Sequence, residues 1–243
     1  MKRISILLLM MMVAVMASCS GDDGAVGPAG PAGVPQPVKV LVLGADAGIV
    51  AKSVRIASAL PPGSSINYIN VIDSIPPMSV LKSFSASIVY HNNAPVDRDA
   101  FGDRLADYVD QGGKLVLLQT CMTTSWGFTG GRMIDPAYMP YVTTASSLDA
   151  TARAIDQSSL TFPLHPIFVG VDVPNYVRST LTTLSYPTLQ AGATSLCMFS
   201  GGIEGVAINP NKRIIGINDY PLADDQKLYQ LAANCVLYLT GRI

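Results

Sequence analysis

A short apolar run, Lys114–Leu118, opens into Gln119-Thr120-Cys121, and the loop that follows closes on Gly130-Gly131-Arg132. Beyond the carboxyl end of a parallel strand is where an α/β sheet places its chemistry. A cysteine there can attack an acyl carbon if a base takes its proton and a carboxylate orients that base. The chain has only two histidines. His91 ends another apolar run and could substitute as that base, against the plainer reading of a solvated loop histidine. His165, before Pro166, reads as a turn residue hydrogen-bonded to backbone. Asp46, Asn92, Cys121, Trp126, Arg132 and Asp219 all follow apolar runs or lie in the loop after Cys121, and they are the ligand-binding candidates. Trp126, the sole tryptophan, could stack on a sugar or a partner, or pack inward as part of a lid. Arg132 could anchor an anion or pair with a carboxylate. Asp46 and Asp219 have no histidine at metal-ligand spacing. Gly44 and Gly48 form GxxxG rather than a dinucleotide GxGxxG, so the expectation is a tight turn, no cofactor and no metal.

The elements that position these residues alternate. Val38–Leu43 is an apolar strand followed by a helical stretch to Leu60. Ile66–Ile72 and Ala86–Tyr90 read as strands, linked through Val80 and Leu81. Asp97 caps a helix whose Phe101, Leu105, Tyr108 and Val109 recur at helical spacing, and Gly112-Gly113 stops it. Further on come Tyr138–Val142, a helix near Leu148–Ile155, and strands over Val177–Leu184, Ser195–Phe199, Gly205–Asn209 and Arg213–Asn218. Turn signals at Gly201-Gly202 and Asn209-Pro210-Asn211 make the last three an antiparallel extension. A helix over Asp224–Leu239 presents Leu228, Leu231, Ala232, Cys235, Val236 and Leu239 on one face. This order predicts a three-layer α/β fold: a mostly parallel, doubly wound, flavodoxin-like sheet with an antiparallel C-terminal extension and a C-terminal helix.

Residues 1–36 are of another kind. Lys2-Arg3 and the apolar stretch from Ile4 to about Val15 form an export signal too short to span a bilayer comfortably. Met16-Ala17-Ser18-Cys19 resembles a bacterial lipoprotein box, which implies cleavage after residue 18 and lipidation of Cys19; an ordinary signal peptide with an incidental cysteine is the alternative. Ser20, in place of an aspartate, implies the outer membrane. Gly21, Gly24, Gly27, Gly30 and Gly33 repeat every third residue, the collagen period. So few triplets read as an extended tether, reaching ~50 Å at ~3.1 Å per residue; the alternative is a trimerising stalk. The organisation is thus a signal peptide at 1–18, a tether at 19–36 and a domain at 37–243, expected to be monomeric. Loss of Lys2 and Arg3 lowers the basic count from 16 to 14 against 17 acidic residues, a net charge of about −3. With no basic patch, nucleic acid is not an expected partner. Cys197 and Cys235 lie in apolar patterns and read as core residues.

The segment Leu105-Ala106-Asp107-Tyr108-Val109 with Gly112-Gly113-Lys114-Leu115-Val116 resembles the helix, glycine pair and central strand of the class I glutamine amidotransferase-like superfamily. His165-Pro166-Ile167 with Gly170-Val171, and Arg213-Ile214-Ile215-Gly216-Ile217-Asn218 before the last helix, are similar to segments of its trehalose-utilisation-type branch. The resemblance implies a cysteine elbow, with a histidine and a glutamate after a late strand. Where the pattern would read phenylalanine-histidine-proline-glutamate, this chain has Asp219-Tyr220-Pro221-Leu222, and Cys121 lacks the glycines of an elbow. The functional expectation is therefore an exported, membrane-anchored, non-catalytic domain that binds a small ligand or protein partner at its strand ends. The alternative is a hydrolase or acyl-transfer enzyme using Cys121 with a non-standard base.

Overall fold

The computed structural model describes residues 35–122, 129–142, 148–149, 151–160, 164–178, 183–184, 187–222 and 225–243. The lipoprotein box, most of the tether and Trp126 lie outside them.

Seven strands form one sheet: β1 (Lys39–Ala45), β2 (Ser65–Asn70), β3 (Ala86–His91), β4 (Leu115–Leu118), β7 (Thr194–Phe199), β8 (Ile203–Ile208) and β9 (Ile214–Ile217), in the order β2-β1-β3-β4-β9-β8-β7. The five strands from β2 to β9 are parallel, and β8 and β7 add on antiparallel. β3, β4, β8 and β9 are buried along their whole length. That is why they read as continuous apolar runs and not as alternating ones. A two-residue antiparallel pair, β5 (Leu148–Asp149) with β6 (Thr183–Leu184), stands apart.

Helices cover both faces. α1 (Ile49–Ala59) and α4 (Gln226–Leu239) pack with Val40, Val42, Ile88 and Ile215 in one core; α3 (Arg98–Asp110) packs with Leu41, Leu43, Val89 and Leu117 in the other. A single turn, α2 (Met78–Leu81), lies between β2 and β3. Asp97 caps α3 by accepting from the N–H groups of Asp99 and Ala100. The helix ends as its glycine pair requires. Gly112 has φ +95°, and the N–H groups of Gly112 and Gly113 turn back to the carbonyls of Val109 and Tyr108.

The irregular segments differ from the expectation. No helix forms over the described part of Leu148–Ile155. Ala154 and Ile155 are extended and bridge Val177 and Phe199, because Val177 and the edge of β7 offer them backbone partners. Val177 contributes a bridge and Thr183–Leu184 two residues of strand, with 179–182 outside the described residues. Tyr138–Val142 contributes one bridge, Tyr141 to Leu189. Among the described residues no helix is long and apolar enough to cross a membrane.

Candidate functional site

The carboxyl ends of β1, β3, β4 and β9 converge on one rim. After β1 the chain turns at Asp46-Ala47-Gly48, and Gly48 caps α1. Asp46 is fully engaged. Its Oδ1 accepts from the Gly48 N–H, and its Oδ2 pairs with Lys52 Nζ and accepts from the Tyr220 hydroxyl at 3.1 Å. Lys52 Nζ also donates to that hydroxyl at 3.3 Å and lies 4.8 Å and 4.7 Å from the ring centroids of Tyr90 and Tyr220. Asp46, Lys52 and Tyr220 are all buried. Burial alone would raise the Asp46 carboxyl, but the hydrogen bonds from Lys52 and Gly48 and the lysine charge together hold it below its ordinary value. Burial and then the neighbouring Asp46 push the Tyr220 hydroxyl up. At neutral pH this phenol keeps its proton and serves as a hydrogen-bonding strut between helix and sheet.

Asp219, just after β9, is fully buried and accepts from the Tyr176 hydroxyl and the Tyr220 N–H, each at 2.8 Å. Asp46 and Asp219 therefore flank Tyr220, one on its hydroxyl and one on its backbone. Asn92 is exposed, and its N–H ties the exit of β3 to the Ala45 carbonyl. His91 is the last residue of β3 and is fully buried, its ring 5.6 Å from that of Phe101. It is no solvated loop residue. Burial takes its pKa down to about 3, so the imidazole is neutral.

Cys121 lies in a 3-10 turn, Gln119–Met122, that directly continues β4. A residue three along such a turn points back toward the strand it left. Its thiol is directed at the carbonyls of Leu118 at 2.9 Å and Val89 at 3.4 Å. The residue is 1% exposed, and burial pushes the thiol well above its ordinary value. Cys121 also packs in the core on the α3 side of the sheet, whereas Tyr90, beneath Lys52, belongs to the core on the α1 and α4 side. Cys121 and the Asp46 cluster are not brought together. Cys197 and Cys235 are likewise free and buried.

Arg132 stands elsewhere. It pairs with Asp107 and Asp110 near the C-terminal end of α3 and donates to the Tyr138 hydroxyl at 2.7 Å. The Gly131 and Arg132 N–H groups donate to Asp99 and Asp103. Four aspartates along one side of α3 thus grip a single strap of chain, and of the two readings of Arg132 the carboxylate pair is the one formed. His165 accepts from the Ile167 N–H and caps a 3-10 turn over Pro166–Phe168. Trp126 lies outside the described residues. Among those residues no three His, Cys, Asp or Glu side chains gather as a metal site.

Sequence reasoning overlooked Lys52 and the aspartate stripe. Both had a signal: Lys52 is a charge between Ile49 and Ile56 on the apolar face of a helix, and Asp99, Asp103 and Asp107 recur at four-residue spacing.

Sheet order and helix placement together define a doubly wound, flavodoxin-like α/β fold. The chain is similar to a ThuA-like protein from Bacteroides uniformis, at 15% identity over 86% of this chain and 93% of that one, with a TM-score of 0.53. It is also similar to a GMP synthase subunit from Thermoplasma acidophilum, at 11% identity over 85% and 95%, with a TM-score of 0.51. At such identities the likeness is one of fold. No protein-family model matches the chain, and neither does any curated protein.

Proposed function

We propose that this is an exported lipoprotein, held at the bacterial outer membrane through lipid on Cys19 and spaced from it by residues 19–36. Its domain is a non-catalytic amidotransferase-like module that binds a small ligand or a protein partner at the rim around Asp46, Asn92 and Asp219. The observation that carries the non-catalytic reading is the orientation of Cys121. At the place where the fold puts its nucleophile, the thiol faces backbone carbonyls inside the core. The residue standing for the base, Tyr220, is locked to Asp46 and Lys52. Acyl transfer through Cys121 would need the thiol to reach a substrate carbon as thiolate, and both burial and geometry oppose that.

Alkylation of Cys121 by a small electrophile as a function of pH, with Cys121→Ser as blank, tests this reading. Labelling slower than that of a free thiol, with an apparent pKa above the usual ~8.5, is expected. Rapid labelling with an apparent pKa below ~7, together with a hydrolytic activity lost in Cys121→Ser, would replace the binding module with an enzyme. Mass spectrometry of the mature N-terminus tests the anchor: an unmodified Cys19 would remove it.

A further inference from the structure

The two edges of the sheet are treated differently. At the β7 edge, the Asp156 N–H donates to the Met198 carbonyl, the Met198 N–H donates to Ser159 Oγ, and Ile155 bridges Phe199. That strand is also bulged, so the edge is both covered and irregular. β2 at the opposite edge has neither device. It is regular and, among the described residues, pairs only with β1. From Pro61 to Ile72 there is no charged residue.

The apolar surface gathers there too. The Ser65 and Val71 N–H groups point to β1, so those of Ile66, Tyr68 and Asn70 face outward by alternation. Ile66 packs in the core shared with α1 and Ile69 in the other, which puts the Tyr68 ring on the α1 face of the sheet. Lys52 reaches from α1 toward Tyr220 at the sheet centre, so Val50 and Val54 occupy the opposite flank, above β2. The Val96 N–H donates to the Val71 carbonyl, placing Val96 and Ile72 at the exit of β2. Val50, Val54, Tyr68, Ile72 and Val96 are five of the ten large hydrophobic residues that stand exposed among the described residues, at 37% to 62%. So large a share along one edge marks an interaction surface.

We propose that β2 is a homodimer interface, in which a second copy of this chain adds its own β2 antiparallel about a two-fold axis at Tyr68 and makes one continuous sheet. The outward backbone groups at residues 66, 68 and 70 are symmetric about Tyr68. A self-pairing centred there sets Tyr68 opposite Tyr68 and Ile66 opposite Asn70, and keeps matching faces on the same side. The axis stands perpendicular to the sheet, so both α1 helices lie on one side, with Val50 and Val54 of each turned toward the other. A bare peptide strand would satisfy the backbone but leave those valines in water; a second copy covers them by symmetry. The full chain has a net charge of −1, so copies carry like charge, and an uncharged edge is where they can meet without repulsion. A three-fold stalk would not pair three such edges, because edge pairing is two-fold. The sequence expectation of a monomeric domain and this dimer are opposite results of one measurement.

Cross-linking decides between them, on the full chain carrying Cys19→Ser so that no other exposed thiol competes. The Cα atoms of an opposed hydrogen-bonded pair lie ~5.5 Å apart, within reach of a disulfide. Oxidation should therefore give a covalent dimer from Tyr68→Cys, but not from Asn67→Cys, which faces Ile69 of the mate. Sedimentation of the same chain at ~100 µM should show a dimer that Tyr68→Lys, and separately the helix-surface change Val54→Glu, convert to monomer while the circular dichroism is unchanged. A monomer at that concentration overturns the proposal. So does a trimer, a dimer indifferent to both substitutions, or equal cross-linking of the two cysteine variants.

Discussion

Acid should destabilise this domain through one buried histidine. His91 has no solvent exposure, and burial takes its pKa from 6.5 to about 3. Between those two values the unfolded chain binds a proton that the folded chain does not, so stability rises with pH and falls on acidification. At one pKa unit per 1.36 kcal/mol, the loss from neutrality is about 2 kcal/mol at pH 5 and about 3 kcal/mol at pH 4. That is a large part of a typical ~5–15 kcal/mol. The assay is urea unfolding of the wild type and of His91→Gln at pH 7, 5 and 4. The substitution costs something at every pH, but the gap between the proteins should shrink by about 2 kcal/mol from pH 7 to pH 5. His165, the other histidine, is also lowered by burial, and because both proteins carry it, its contribution cancels. A gap constant within ~0.5 kcal/mol across that range would refute the reasoning and mean that His91 is protonated or solvated in the fold.

Asp46→Ala leaves the Lys52 ammonium buried without its carboxylate and should cost ~3–5 kcal/mol, with much of the loss recovered by adding Lys52→Met; urea unfolding of the single and double variants measures both. Because the Asp46 carboxyl is held low, its contribution is complete above the ordinary carboxylate range and fades as pH falls through its folded value, so Asp46→Asn should flatten the acid limb of the stability curve. In Gly102→Ala the new methyl would sit 1.9 Å from the Gly130 carbonyl oxygen. A loss of ~1–3 kcal/mol in urea unfolding is expected as the strap is pushed off the helix. Arg132→Ala should lower the melting temperature slightly at low salt and hardly at all at ~1 M salt, since its ion pairs are exposed.

The layered α/β architecture was legible in the sequence because its signals are local. Buried parallel strands read as unbroken apolar runs, Asp97 and Gly112-Gly113 mark both ends of α3, and Asn209-Pro210-Asn211 marks the turn between β8 and β9. Spacing also located the rim, since Asp46, Asn92, Cys121 and Asp219 each follow a strand. What those residues do there was decided only in three dimensions. Cys121 and Tyr220 sit at the expected points of the chain, yet a 3-10 turn sends the thiol into the core. The partners that lock Tyr220 come from residues 46 and 52, far away in sequence. His91 has the same sequence neighbours whether solvated or sealed, because its burial is made by adjacent strands and by Phe101. The helix expected near Leu148 gave way to backbone pairing with an open sheet edge. Local patterns reveal which residues face a core. Whether a polar side chain is exposed, and what it touches, depends on contacts between residues distant in the chain, and only the folded sheet supplies those.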